Sequence, residues 1–170
     1  MERKKDQFFG SLYLNKATKW EVQMEKRLVN FLLVEDNQDH AELVRLAFKV
    51  NNIGNSITHV ENGEEALRYI KKQNEYTKAP TPDVVLLDLN LPGISGLEVL
   101  KRVKEDSSLS SIPVVVLTTS EAERDRAEAY EYRANSYLVK PLDFEQFRKL
   151  VSDLKIYWGI WNVGVGDLAK

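Results

Sequence analysis

Cysteine is absent from all 170 residues. That rules out a disulfide framework, a cysteine-ligated zinc site and thiol catalysis, and it fits a cytoplasmic protein. Charge of one sign is lacking too: 24 Lys and Arg stand against 26 Asp and Glu, for a net charge of −2. Such a balance argues against a nucleic-acid binder that relies on phosphate contacts and against a polybasic membrane module. Neither nucleic acid nor membrane is therefore expected as a partner. No apolar run approaches the roughly 20 residues that span a bilayer. The opening MERKKDQFFGSLYLNK has no long apolar stretch before a small-residue cleavage site, so no secretion signal is expected. No internal repeat or low-complexity segment occurs.

What the chain does have begins near residue 28, as a rhythm of short apolar runs and amphipathic stretches. The runs are Phe31-Leu32-Leu33-Val34, Ile57-Thr58-His59-Val60, Val84-Val85-Leu86-Leu87, Val114-Val115-Val116-Leu117 and Tyr137-Leu138-Val139. Three are apolar throughout, as expected of parallel strands covered by helices on both faces. Between them Leu43, Val44, Ala47 and Phe48 repeat at helical spacing, as do Ala66, Leu67 and Ile70, and Leu97, Leu100 and Val103. Glu121 to Tyr130 reads as a weaker, polar helix. A last helix carries Phe144, Phe147, Val151, Leu154, Trp158 and Trp161 in one seam. Five strand–helix units imply an α/β fold, a doubly wound five-stranded parallel sheet with five helices and right-handed crossovers. Asn62-Gly63, Leu91-Pro92-Gly93 and Ile112-Pro113 supply turn signals between units, and Gln73 to Pro82 reads as a surface loop. Residues 1–27 form an N-terminal extension in which Trp20 and Met24 are spaced for a short helix. Residues 28–155 form the domain, and 156–170 extend the last helix into a tail.

Ligands of open parallel sheets bind beyond the carboxyl ends of the strands. Those ends hold Glu35-Asp36, then Asp88 followed by Leu89-Asn90, then Thr118-Thr119-Ser120, then Lys140-Pro141. Crowded carboxylates share a proton or bind a cation. Mg²⁺ suits them, since it takes oxygen ligands and fills its remaining positions with water and phosphate. An aspartate beside such a metal can attack phosphorus and form an acyl phosphate, while the metal, a lysine and a threonine hydroxyl neutralise the phosphoryl oxygens.

VEDN, LLDLNLPGISGLEVL, PVVVLTTS and YLVKP, in that order at those strand ends, resemble the bacterial response-regulator receiver family over roughly residues 28–155. The resemblance implies a flavodoxin-like strand order, 2-1-3-4-5. It implies Asp88 as phosphoacceptor, with Asp36 binding Mg²⁺ directly, Glu35 through water and Asn90 through its backbone carbonyl. Thr118 would hydrogen-bond the phosphoryl group and Lys140 would pair with it. Tyr137 would be the aromatic switch that turns inward as Thr118 moves, and Lys140-Pro141 would be a cis peptide. Such a protein is a phosphoacceptor switch rather than an enzyme acting on outside substrates. Its phosphoryl donor is a sensor histidine kinase, and its output is a protein contact or onward phosphotransfer. Glu35 departs from the more frequent aspartate, and Ser120 with Asn90 flanks the path of attacking water. The VVVLTTS strand, the Asn-Leu-Pro loop and the aromatic C-terminal helix resemble more narrowly the stand-alone regulators paired with bacterial phytochrome kinases, which are often dimeric.

Blander readings stand beside these. Asp36, Asn37 or Asp39 could simply cap the next helix, Asp88 could be a turn residue, and Lys140 a solvated surface lysine; the joint alignment of four motifs argues against all three. His40 and His59 lack a second histidine at metal-ligand spacing and read as structural or surface. A metal-dependent aspartyl-nucleophile phosphatase would need an acid two residues past its nucleophile, where Asn90 stands. A receiver-like module that is never phosphorylated would usually lack one of these groups. Tyr157, Trp158, Ile160 and Trp161 lie past the usual end of the domain. Either residues 1–27 or a second copy covers them; a homodimer is expected, with Tyr157, Trp158 and Trp161 at its interface. No output domain is expected after Lys170.

Overall fold

The structure, a computed structural model, describes residues 29–49, 56–158 and 162. Trp20, Met24, Ile160 and Trp161, and the extension at 1–27, lie outside the described residues.

Five units follow one another: β1 (Asn30–Val34) and α1 (Gln38–Lys49), β2 (Ser56–Val60) and α2 (Gly63–Ile70), β3 (Val84–Leu87) and α3 (Gly96–Glu105), β4 (Val114–Thr118) and α4 (Glu123–Glu131), β5 (Ser136–Val139) and α5 (Phe144–Ile156). All pairings are parallel, as the sequence pattern implies, and the strand order is β2-β1-β3-β4-β5, as the family resemblance implies. The stretch read as a loop holds one 3₁₀ turn, Asn74–Tyr76.

The uniformly apolar runs exist because each strand feeds two cores. Leu32, Val34, Val85, Leu87, Val114 and Val116 pack with α2 and α3 through Ala66, Ile70, Leu100 and Val103. Phe31, Leu33, Leu86, Val115 and Leu117 face the other way, onto Val44 and Phe48 of α1 and Phe147, Val151 and Leu154 of α5. Each fully buried Val, Leu or Phe contributes roughly 1.5–3 kcal/mol, so both faces must be covered. On the second face Lys155 of α5, with no exposed surface, donates to the Phe48 carbonyl in the last turn of α1. A cation there suits the helix's negative end, while burial lowers its pKa. α4 is anchored far more lightly, with Ala129 its one buried residue, as its polar sequence leads one to expect.

Trp158 does not extend beyond the sheet. It is buried in the second core with Phe48 and Phe147, whereas Tyr157 is 53% exposed. The three-and-four spacing keeps the Trp158 side of α5 on the same seam as Leu154 and Val151, and that seam faces α1.

Registers set the strand ends level. Val34 lies opposite both Val60 and Leu87, Leu87 opposite Val116, and Thr118 opposite Val139. Gly96 fixes how closely α3 approaches the end of β3: a Cβ there would lie 2.1 Å from the Asp88 carbonyl oxygen and 2.6 Å from Leu89 Cα. Both obstacles are backbone and cannot rotate away. Gly96→Ala is therefore expected to cost about 3 kcal/mol, the upper end of the range for overpacking, seen as a lower urea midpoint with an unchanged slope.

Candidate functional site

Helix capping decides which acids remain available. Asn37, not Asp36, caps α1: its side-chain oxygen accepts from the His40 N–H at 3.0 Å. Asn62 caps α2 and Ser95 caps α3 in the same manner. The capping alternative for Asp36 is thereby answered, and its carboxylate lies exposed at the strand edge.

Beside it the level strand ends gather Glu35, Asp88, Thr118 and Lys140, all four buried. The Lys140 ammonium donates to Glu35 Oε2 at 2.5 Å and to Asp88 Oδ2 at 2.6 Å. Its own backbone N–H donates to the Thr118 carbonyl at 2.7 Å, which holds the end of β5 against β4. Asp88 Oδ1 accepts from the Asn90 N–H at 3.1 Å. Thr118 Oγ1 accepts from the Ser120 N–H at 3.2 Å, leaving its proton for Asp88. Burial pushes the Asp88 carboxyl up, but Lys140, the Asn90 N–H and the Thr118 hydroxyl together outweigh it, so Asp88 titrates below its ordinary value.

Charge and donor type point to a cation. Glu35, Asp36 and Asp88 each offer an oxygen, all within 4.8 Å of one another. Three carboxylates against one ammonium leave two negative charges uncompensated at the mouth of the site. Hard oxygen donors with a deficit of that sign fit a divalent ion such as Mg²⁺ or Mn²⁺.

Tyr137 is half-buried, and its hydroxyl donates to the Ser120 carbonyl at 3.0 Å. Ser120 Oγ in turn donates to Asp125 at 2.6 Å, at the start of α4. The Lys140–Pro141 bond is trans, since the described residues contain no cis peptide. This corrects the expectation of a cis bond. The two isomers before proline differ by only about 0.5–1 kcal/mol, and the trans chain already sets the ammonium on both acids.

Both histidines reach the site, which sequence reasoning missed. His40 Nδ1 lies 3.2 Å from Glu35 Oε1 and 3.5 Å from Lys140 Nζ. His59 Nε2 lies 2.7 Å from the Glu35 carbonyl oxygen. For His40 the signal was only its place in the first turn of α1, directly after the acids that end β1. For His59 there was none, since the contact spans two strands.

The response regulator receiver domain family matches residues 31–152. The probable methanogenesis regulatory protein FilR2 of Methanothrix harundinacea is 44% identical over 135 residues, 79% of this chain and 86% of FilR2. Response regulator Rcp1 of Synechocystis is 39% identical over 127 residues, 75% of this chain and 86% of Rcp1. The crystal structure of Rcp1 in its Mn²⁺-bound form aligns at a TM-score of 0.77 and 36% identity, over 80% of this chain and 98% of that one. The crystal structure of RcpA, a phosphorylated cyanobacterial phytochrome response regulator, aligns at 0.79 and 34% identity, over 82% and 99%.

Proposed function

The chain belongs to the response regulator receiver family, and on that premise we propose that it accepts a phosphoryl group from a sensor histidine kinase onto Asp88, with Mg²⁺, and signals by altered protein contacts. The observation that carries this reading is the buried Lys140 ammonium bridging Glu35 and Asp88, with Asp36 at the rim. An Asp88 oxygen attacks the phosphorus of the partner's phosphohistidine. The O–P bond forms as the N–P bond breaks, and the departing imidazole takes up a proton. Lys140 keeps its ion pair with Glu35 and turns its remaining protons to a phosphoryl oxygen. The Thr118 hydroxyl donates to another. Glu35, Asp36, Asp88 and the Asn90 carbonyl would hold Mg²⁺, which supplies charge neutralisation when bound.

As Thr118 turns toward the phosphoryl group, Tyr137 gives up the Ser120 carbonyl and swings inward. The face of α4, β5 and α5, where Tyr130 and Val139 stand exposed, then changes its preferred partner. Similarity to RcpA, a phytochrome response regulator, supports a phytochrome-type partner kinase. A second copy of the chain seated against Tyr157 completes the proposal. Tyr157→Lys is expected to convert a sedimenting dimer to monomer, and an unchanged sedimentation coefficient counts against that interface.

The test is incubation with acetyl phosphate and Mg²⁺, followed by intact mass. One added phosphoryl group, lost when EDTA replaces the metal, is the expected result. No gain in mass at any Mg²⁺ concentration overturns the reading.

A further inference from the structure

Glu35 stands one residue past the last strand position of β1, where the ladder to β2 runs out. Its N–H still donates to the Val60 carbonyl at 3.1 Å. Asn62, the next residue that could return a backbone donor, has already turned to cap α2. The donor to the Glu35 carbonyl is a side chain instead, His59 Nε2 at 2.7 Å. The other ring nitrogen, His59 Nδ1, meets an Arg45 guanidinium nitrogen at 3.2 Å. A guanidinium can only donate and a carbonyl can only accept. Both neighbours therefore demand one arrangement, with Nδ1 accepting and the proton on Nε2. The strand places the ring for this: Ile57 packs into the core shared with α1 and α5, and His59, two residues on, points to the same side.

We infer that His59 is a positioning residue for the cation site, its tautomer fixed by Arg45 and its Nε2–H locking the backbone of Glu35 so that the carboxylate points at Lys140 and Asp88. Glu35 is longer by one methylene than aspartate and has more rotamers to lose, so a fixed backbone matters more at this position. His59 touches neither metal nor phosphoryl group; it acts through Glu35. The inference rests on the reading of Glu35 as part of a metal site.

Outer partners that orient a metal's ligands are worth 10–100-fold in affinity. Mn²⁺ binding, followed by the free-ion electron paramagnetic resonance signal, is expected to weaken about tenfold in His59→Leu. It should stay near wild type in His59→Gln, whose amide can still donate to the Glu35 carbonyl. Arg45→Met, at a half-exposed position of α1, should leave the fold intact and weaken binding partway. If His59→Leu fails to fold, the Gln and Met variants together with nitrogen NMR decide. With two histidines in the chain, the ¹⁵N-labelled imidazoles of wild type are assigned by His40→Gln. His59 should show one tautomer, protonated at Nε2, and a smaller share of that tautomer in Arg45→Met, where the Glu35 carbonyl alone still selects it. Protonation at Nδ1 in wild type, or wild-type Mn²⁺ affinity in a folded His59→Leu, overturns the inference. Wild type that binds no Mn²⁺ overturns the metal-site reading itself, and the positioning role with it.

Discussion

Asp88→Asn is expected to take up no phosphoryl group from acetyl phosphate, while unfolding at nearly the wild-type urea concentration. The amide is a poor nucleophile and cannot form the acyl phosphate, whereas its one oxygen can still accept from Lys140, and the Asn90 N–H, on an exposed residue, can turn to water. Lys140 keeps Glu35, so no buried cation is stranded. The pH dependence of stability should distinguish the two proteins. The folded Asp88 pKa lies below its ordinary value, so the unfolded chain binds the proton more readily. Its contribution is therefore present above the ordinary aspartate pKa, about 3.9, and is lost as pH falls through the depressed folded value. Asp88→Asn lacks that share of the acid loss, and a plot of unfolding free energy against pH should be flatter there. A phosphoryl adduct on the variant would place the acceptor elsewhere.

Lys140→Met is expected to destabilise the fold by about 3–5 kcal/mol at neutral pH without divalent ion, the usual cost of stranding a buried charge. Here Glu35 and Asp88, both within hydrogen-bond distance of the ammonium, would face each other with no cation between them. Two rescues should follow, of the same origin. Lowering the pH should stabilise the variant relative to neutral pH, because repulsion raises the carboxylates' folded pKa values and the folded state then binds the extra proton. Mg²⁺ should raise its melting temperature by more than it raises that of wild type, through binding to the folded state alone. Phosphoryl uptake should be slowed even when Mg²⁺ restores the fold, since a phosphoryl oxygen loses its ion pair. Stability at neutral pH unchanged in the absence of metal would mean that the ammonium is not the counter-charge of these acids.

The strands and the acids at their ends were legible because they are local facts. Val84 to Leu87 needs no partner to read as a doubly covered strand, and Asp88 follows directly. Helix caps were legible in kind but not in identity: Asp36, Asn37 and Asp39 all stand at the start of α1, and the geometry that selects Asn37 over Asp36 is tertiary. The contacts of His59 with Glu35, 24 residues away, depend on strand register and on where Arg45 falls around α1, neither of which appears as a motif. The buried Lys104 and Lys155 were invisible for a related reason. Each is desolvated and answered by backbone carbonyls, those of Ser110 and Ile112 for Lys104 and that of Phe48 for Lys155. A sequence names side chains, not the carbonyls left open at the ends of helices. The aromatic end of α5 misled because counting residues past the usual domain end says how long a helix is, not which way its seam turns. Trp158 completes a core that it was expected to extend beyond.

The two faces of the sheet are fastened unequally. A hidden lysine staples one pair of helices together, while α4 is moored to the other face by a single alanine. Free energy for shifting a segment scales with what it must unbury, so among the described α-helices α4 is the cheapest to displace. It begins where the Ser120 hydroxyl meets Asp125, two residues past Thr118, so a small rearrangement at the strand edge acts on the loosest lever the architecture offers.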